Sequence, residues 1–298
     1  MMAPKDIRAS LDDRLRRQGS AGPAELNRVR KEIALQRLLA RLRAVTPDGS
    51  WTLKGGMSLV ARLGAHARTT QDADANWRQA SGALAGYIEA ACALDLGDGF
   101  GFVLRRQQPL QTDTAEGGVR YSFSANLSGR VFEQAITLDV NFDAGDRRPI
   151  EWVQLSVPPT AALGLGPVEV PAIPIGQQLA EKLHAYLQMH GDARSSRSRD
   201  LVDTLVVAKR LPIPERRFLA DDCASTFRTR GHRWPESCQN IPGPPADWQR
   251  PWAEFVKVYG LEWRTLPVAF TAFTDFWVPV IEFPGQRGAW DARRWEWR

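Results

Sequence analysis

A chain of 298 residues with 43% hydrophobic and 24% charged content is long enough to bury a core as one large domain or two small ones, and its composition argues against disorder. No run of eighteen apolar residues occurs and the first twenty residues lack an apolar h-region, so neither a membrane span nor a secretory signal is expected. The net charge of +5 is mild for this length and permits a nucleic-acid partner without establishing one. The three cysteines, Cys92, Cys223 and Cys238, are scattered and form no C-x-x-C pair, which fits free thiols in a reducing cytoplasm better than a zinc site. Only six of the 39 basic residues are Lys. A GC-rich genome accounts for the bias, yet where a Lys persists a compact ammonium has reason to be there.

In chain order, Ile7, Leu11 and Leu15 recur at helical spacing, and a break follows at 19–23. Leu26, Val29, Ile33, Leu38, Leu39 and Leu42 then mark a long amphipathic helix with arginines on its other face, ended by the Pro47-Asp48-Gly49 turn. From Trp51 the pattern changes. A short strand at 51–53, a Gly55-Gly56 break and a short helix at 58–63 are expected, then a strand at 70–76 and a helix at 78–94. Strands are expected at 100–106, 119–127 and 135–142, and a Pro- and Gly-rich bridge with only short extended pieces at 156–174. Helices return at 177–190, 199–209, 216–228, 252–259 and 268–281, and a long connection fills 231–251. The expected fold class is therefore α/β. It consists of an N-terminal helical segment (1–50), a core with a small mixed sheet flanked by helices (51–174), and a helical C-terminal domain (175–298).

The chemistry concentrates in Leu53-Lys54-Gly55-Gly56-Met57-Ser58 and in Arg68-Thr69-Thr70-Gln71-Asp72-Ala73-Asp74. Two glycines after a strand let backbone approach a bulky anion, toward which the next helix points its first N–H groups. Asp72 and Asp74, at i and i+2 of a strand, share a face, where two carboxylates repel unless a cation lies between them. Mg²⁺ suits such a pair, since it takes one or two carboxylates plus substrate phosphates. Either piece alone is common in loops and at strand ends; their order and spacing carry the signal. Asp139 sits on the polar face of the half-buried strand Ile136-Thr137-Leu138-Asp139-Val140-Asn141-Phe142, where an acid is disfavoured by propensity unless solvated or employed. Lys182 flanks the apolar stripe of Leu179, Leu183 and Tyr186, and Asp200 and Asp203 occupy the first turn of the following helix, where the dipole alone would favour them. The four histidines show no metal-ligand spacing and receive no catalytic role; no G-x-S-x-G, phosphate-loop or zinc-finger pattern occurs.

The succession LKGG, R-x-T-x-D-x-D, LDV, AEKLHA and SRSRDLVD resembles the AbiEii/AbiGii nucleotidyltransferase toxins, including the MenT-type group, over nearly the whole chain. Arg199 stands where that family usually has Lys, and Ala73 and Ala75 where it has larger aliphatics; no carboxylate is lost. The resemblance implies a Mg²⁺-dependent enzyme that moves a nucleotide from an NTP to an RNA acceptor such as tRNA, or to a protein, as the toxin opposite a cognate antitoxin. By the same resemblance Asp72 and Asp74 hold the ion, and Asp139 completes the metal site or activates the attacking hydroxyl. Lys182 and Lys54 neutralise the triphosphate, Gly55, Gly56 and Ser58 cradle phosphate, and Asp200 is a second catalytic acid. Arg194, Arg197 and Arg199, in one short polar segment, are the candidates for gripping an RNA acceptor. Nucleotidylation of a small molecule, or nucleotide and RNA binding without transfer, are the competing readings.

Overall fold

The computed structural model describes residues 23–68, 70–110, 116–157, 160, 164–188, 194–235, 237, 239 and 241–298, together with Ser10 and Asp13; the side chains of 23–25 and 194–196 are outside that description. The helix expected around Ile7, Leu11 and Leu15 therefore lies outside the described residues, as do His190 and Cys238. The chain divides into two compact units, Met1–Ile173 and Pro174–Arg298.

The first unit is built on a seven-stranded mixed sheet in the order β3-β4-β5-β2-β1-β7-β6. Its strands are β1 (Trp51–Lys54), β2 (Asp72–Trp77), β3 (Phe100–Leu110), β4 (Gly118–Leu127), β5 (Arg130–Phe142), β6 (Glu151–Leu155) and β7 (Val168–Ala172). β2 runs parallel to β5 and β1 parallel to β7, and the remaining neighbours are antiparallel. The helices of this unit are α1 (Pro23–Val45), α2 (Gly55–Leu63) and α3 (Leu84–Ala93).

Register fixes which side chains share a face. Leu53, Ala75, Val140 and Val119 lie opposite one another across four strands, and Ala73, Leu138 and Tyr121 form the next row. All are buried. This is the apolar face, and α1 and α3 pack on the sheet here. Side chains one residue along each strand point the other way, so the opposite face carries Thr52, Lys54, Asp72, Asp74, Asn76, Thr137, Asp139, Asn141, Arg120 and Ser122.

One of the short extended pieces expected within the 156–174 bridge is β7, which is an interior strand of the sheet, and β6 was not foreseen at all. On α1, Gln36, Arg37 and Arg41 are buried together with Ile33 to Leu42. Arg41 and Arg37 grip Asp98, in the turn before β3, at 2.7 Å each.

In the second unit α4 (Ile175–Leu187), α5 (Arg194–Arg210), α6 (Arg216–Thr229), α7 (Gln249–Tyr259) and α8 (Leu266–Glu282) pack together. A terminal hairpin of β8 (Trp290–Asp291) and β9 (Glu296–Trp297) closes the unit. Trp290, Trp295 and Trp297 donate their indole N–H groups to Ala208, Ala272 and Phe276 carbonyls, so much of the tryptophan excess serves packing. No described helix is long and apolar enough to cross a membrane.

Candidate active site

A single transverse row of the sheet holds four charged residues. Lys54 on β1 lies opposite Asp74 on β2, Asp74 opposite Asp139 on β5, and Asp139 opposite Arg120 on β4. Cross-strand neighbours sit about 5 Å apart, so the order across the face is cation, acid, acid, cation. Asp72, two residues before Asp74, adds a third carboxylate to the same face, level with Thr137.

Each acid is held in place by a local feature of the fold. Thr70 donates its hydroxyl to Asp72 Oδ1 at 3.0 Å, and its backbone N–H goes to the buried Glu32 of α1 at 2.9 Å. Burial pushes the Glu32 carboxyl up to about 7, against the Thr70 amide and the charge of Arg28, which lower it. Asp139 receives Arg120 side-on, with Nε on Oδ1 at 2.7 Å and Nη2 on Oδ2 at 2.5 Å. Those bonds raise the Arg120 pKa, against partial desolvation, and the charges of Asp139, Asp72 and Asp74 add to the effect. The guanidinium therefore feels all three carboxylates.

The two glycines answer to the acids directly. Gly55 opens α2 with φ of +64°, a left-handed conformation that favours glycine, and a Cβ there would overlap the Asp74 carboxylate. A Cβ on Gly56 would come within 2.6 Å of Thr70 Oγ1. Asp74 thus lies against the first turn of α2, where the helix dipole favours an anion. The close approach that the Gly-Gly pair permits is to the protein's own Asp74 and Thr70.

Within the second unit, Lys182 of α4 places its ammonium 2.9 Å from Asp200 Oδ1 and 2.9 Å from Asp203 Oδ2, both on α5. All three side chains are largely buried, and Arg197 approaches Asp200 Oδ2 at 3.5 Å. One turn of helix separates Asp200 from Asp203, so both carboxylates face the same neighbour. His184, fully buried, lies 2.8 Å from His232 and 3.2 Å from Arg230. Because arginine only donates, His184 Nδ1 accepts and its Nε2 carries the proton toward His232.

The model of the AbiEii nucleotidyl transferase toxins of type IV toxin–antitoxin systems matches residues 37–269. The chain belongs to this family. Among solved structures the fold is similar to MenT4, a nucleotidyltransferase toxin of Mycobacterium tuberculosis H37Rv, at 20% identity and a TM-score of 0.55 over 83% of this chain and 80% of that one. A putative nucleotidyltransferase from H. pylori also matches at 18% identity and a TM-score of 0.43, over 85% and 92% of the two chains. JHP933 from Helicobacter pylori matches at 17% and 0.44, over 86% and 90%. No curated protein matches at a significant level.

Most of the family's motif residues fall in two settings. Lys54, Gly55, Asp72, Asp74 and Asp139 come together on or beside one face of the first unit's sheet, and Lys182 and Asp200 come together in the second unit. Ser58 does not join the row: it is buried, and its hydroxyl accepts a hydrogen bond from Arg62, which also binds the Ile173 carbonyl. Arg199 is exposed on α5, Arg197 turns toward Asp200, and the Arg194 side chain lies outside the described residues. Arg120, Thr70 and Glu32 were missed as site residues. The only sequence signal for Arg120 was a charged residue in the alternating strand Val119-Arg120-Tyr121-Ser122-Phe123, which an exposed strand face would also give.

Proposed function

We propose that the chain transfers a nucleotide from an NTP to an RNA acceptor such as tRNA, by in-line attack at the α-phosphorus with pyrophosphate leaving, and that it acts in the cytoplasm opposite a cognate antitoxin. The observation that carries the reading is the Lys54–Asp74–Asp139–Arg120 row with Asp72 beside it, in a chain of this family.

The donors fit Mg²⁺. Asp72 and Asp74 offer hard carboxylate oxygens on one face, and among the described residues no group of three His, Cys, Asp or Glu side chains is placed to hold an ion. Two protein carboxylates, with substrate phosphates filling the remaining positions, is the usual Mg²⁺ arrangement. A bound ion would supply charge neutralisation at the α-phosphate and a lowered pKa for the attacking hydroxyl. Asp72 and Asp74 would hold it, themselves kept in place by Thr70 and by the first turn of α2. Lys54 flanks Asp74 and offsets negative charge where the triphosphate binds. Lys182 and Asp200 form a buried pair within the second unit, for which the family pattern implies a phosphate-binding cation and a second acid.

The test is label transfer. The protein is incubated with each of the four α-³²P-labelled NTPs and Mg²⁺, and separately with purified tRNA, protein extract and a panel of small hydroxyl compounds. Label on tRNA from at least one NTP is expected. Label appearing only on protein or on a small molecule would replace the RNA acceptor, and no transfer to any acceptor would overturn the reading.

A further inference from the structure

The family resemblance gives Asp139 a place in the metal site or the role of base, yet each of its oxygens already accepts a hydrogen bond from Arg120. The pair is directly opposed on adjacent strands, so its geometry is set by backbone register rather than by a long side chain's reach. Burial within the pair is uneven. The Asp139 side chain is 10% exposed and that of Arg120 39% exposed, so the arginine is the partner that solvent or a substrate can reach. A side-on pair uses Nε and one N–H of Nη2. It leaves the Nη1 amino group and the second Nη2 N–H as an outward fork, the geometry that arginine offers to phosphate oxygens.

We propose that Arg120 is a phosphate-binding residue of the nucleotide site, and that Asp139 is its positioning residue rather than a third metal ligand. The inference rests on the nucleotidyl-transfer reading and names the side chain that holds the substrate's phosphates at the β4 end of the row. A buried carboxylate fixes the guanidinium plane before substrate arrives, which spares the ordering of a long side chain on binding. The cost of pairing Asp139 is met inside the protein. The two acids nearer Lys54 are then the ones that serve the cation.

Two probes separate the roles: inorganic tripolyphosphate in EDTA, and Mn²⁺ alone, each titrated calorimetrically against the full chain. Melting curves confirm that each variant is folded. Arg120→Gln should weaken tripolyphosphate binding about tenfold or more, the scale of a charge-assisted hydrogen-bonded contact. Arg120→Lys should recover only part of it, because a point charge replaces the fork. Arg106→Gln removes an equal charge from an exposed position on the neighbouring strand, level with Ser122, and should change binding less than threefold. Asp139→Asn should weaken tripolyphosphate binding while leaving Mn²⁺ affinity within about threefold of the parent, whereas Asp74→Asn should abolish Mn²⁺ binding. The proposal is overturned if Asp139→Asn loses Mn²⁺ as Asp74→Asn does, if Arg120→Gln binds tripolyphosphate like the parent, or if the parent binds none. Label transfer by the parent tests nucleotidyl transfer separately, so a transferase with an unchanged Arg120→Gln titration would sink this assignment and leave that reading standing.

Discussion

Two arginine–aspartate pairs in the first unit use the same chemistry to opposite ends. Arg41 spends its N–H groups on Asp98 through two bonds and on the carbonyls of Leu94, Arg37 and Phe100, and none of its side chain is exposed. Asp98 takes Arg37 and the Phe100 amide as well. Burial pushes the Asp98 carboxyl up, but hydrogen bonds and charge from Arg41, with help from the Phe100 amide and Arg37, outweigh it and hold it below the usual carboxylate range. Arg120 meets Asp139 through one edge only and stays 39% exposed. The first pair is closed and can do nothing but join α1 to the turn before β3. The second has donors to spare on a side chain that reaches solvent. What separates a structural ion pair from a functional one is how many donors remain and whether solvent or substrate can reach them.

Removing each arginine in turn tells the two pairs apart. Arg41→Met should cost about 3 kcal/mol in a urea titration, because it leaves a buried carboxylate with only Arg37 and the Phe100 amide and strips three carbonyls of their donor. Arg120→Met should cost less, about 1–2 kcal/mol, because only Asp139 of this pair is buried and its partner is part-solvated. Equal losses would mean that both pairs are structural.

The next effect concerns activity alone. Asp74→Asn should lower label transfer by on the order of 1,000-fold, corresponding to the several kcal/mol that a bound cation contributes to the transition state. Its melting temperature should stay near the parent's. Retention of near-parental turnover would remove Asp74 from the site.

Glu32 is a buried acid without a guanidinium clamp, with a backbone N–H and the charge of Arg28 in its place. Burial wins there, and its pKa rises from 4.5 to about 7. The native state therefore holds the Glu32 proton more tightly than the unfolded chain does. Its contribution is most favourable below about pH 4.5, declines as pH rises to about 7, and levels off above. Glu32→Gln should flatten that decline and stabilise the protein at pH 8 by up to about 3 kcal/mol, read from denaturation midpoints at pH 5 and pH 8. A variant with the parent's pH slope would show that Glu32 does not titrate there.

The smallest expected change is in acceptor binding. Replacing Arg194, Arg197 and Arg199 together with Gln should make RNA binding less salt-dependent, each lost phosphate contact reducing the slope of log K against log salt by about 1. An unchanged slope would move the acceptor surface elsewhere.

Much of the fold was legible because burial imposes a period. The alternation of Ile136, Leu138, Val140 and Phe142 around Thr137, Asp139 and Asn141 located β5, and the same logic found β3, β4 and the helices of the second unit. β7 was read as bridge because Val168-Glu169-Val170-Pro171-Ala172 is short and contains a proline, which argues against an interior strand; only its neighbours β1 and β6 make it one. The helix expected over 78–94 begins only at Leu84, after a turn in which the Trp77 indole binds the Ala80 carbonyl.

By itself the sequence determined the family, the carboxylates at 72, 74 and 139, and the Gly-Gly break, because each depends on residue type at short, fixed spacing. The tertiary structure alone decided that Lys54, Asp74, Asp139 and Arg120 form one row, since strands distant in sequence are brought level only by pairing register. It also decided that Gly55 makes room for Asp74, and that Arg41 is sealed while Arg120 is open. Arginine reads the same in both places along the chain. Its role is set by how many of its donors the surrounding backbone consumes, and that number exists only once the chain has folded.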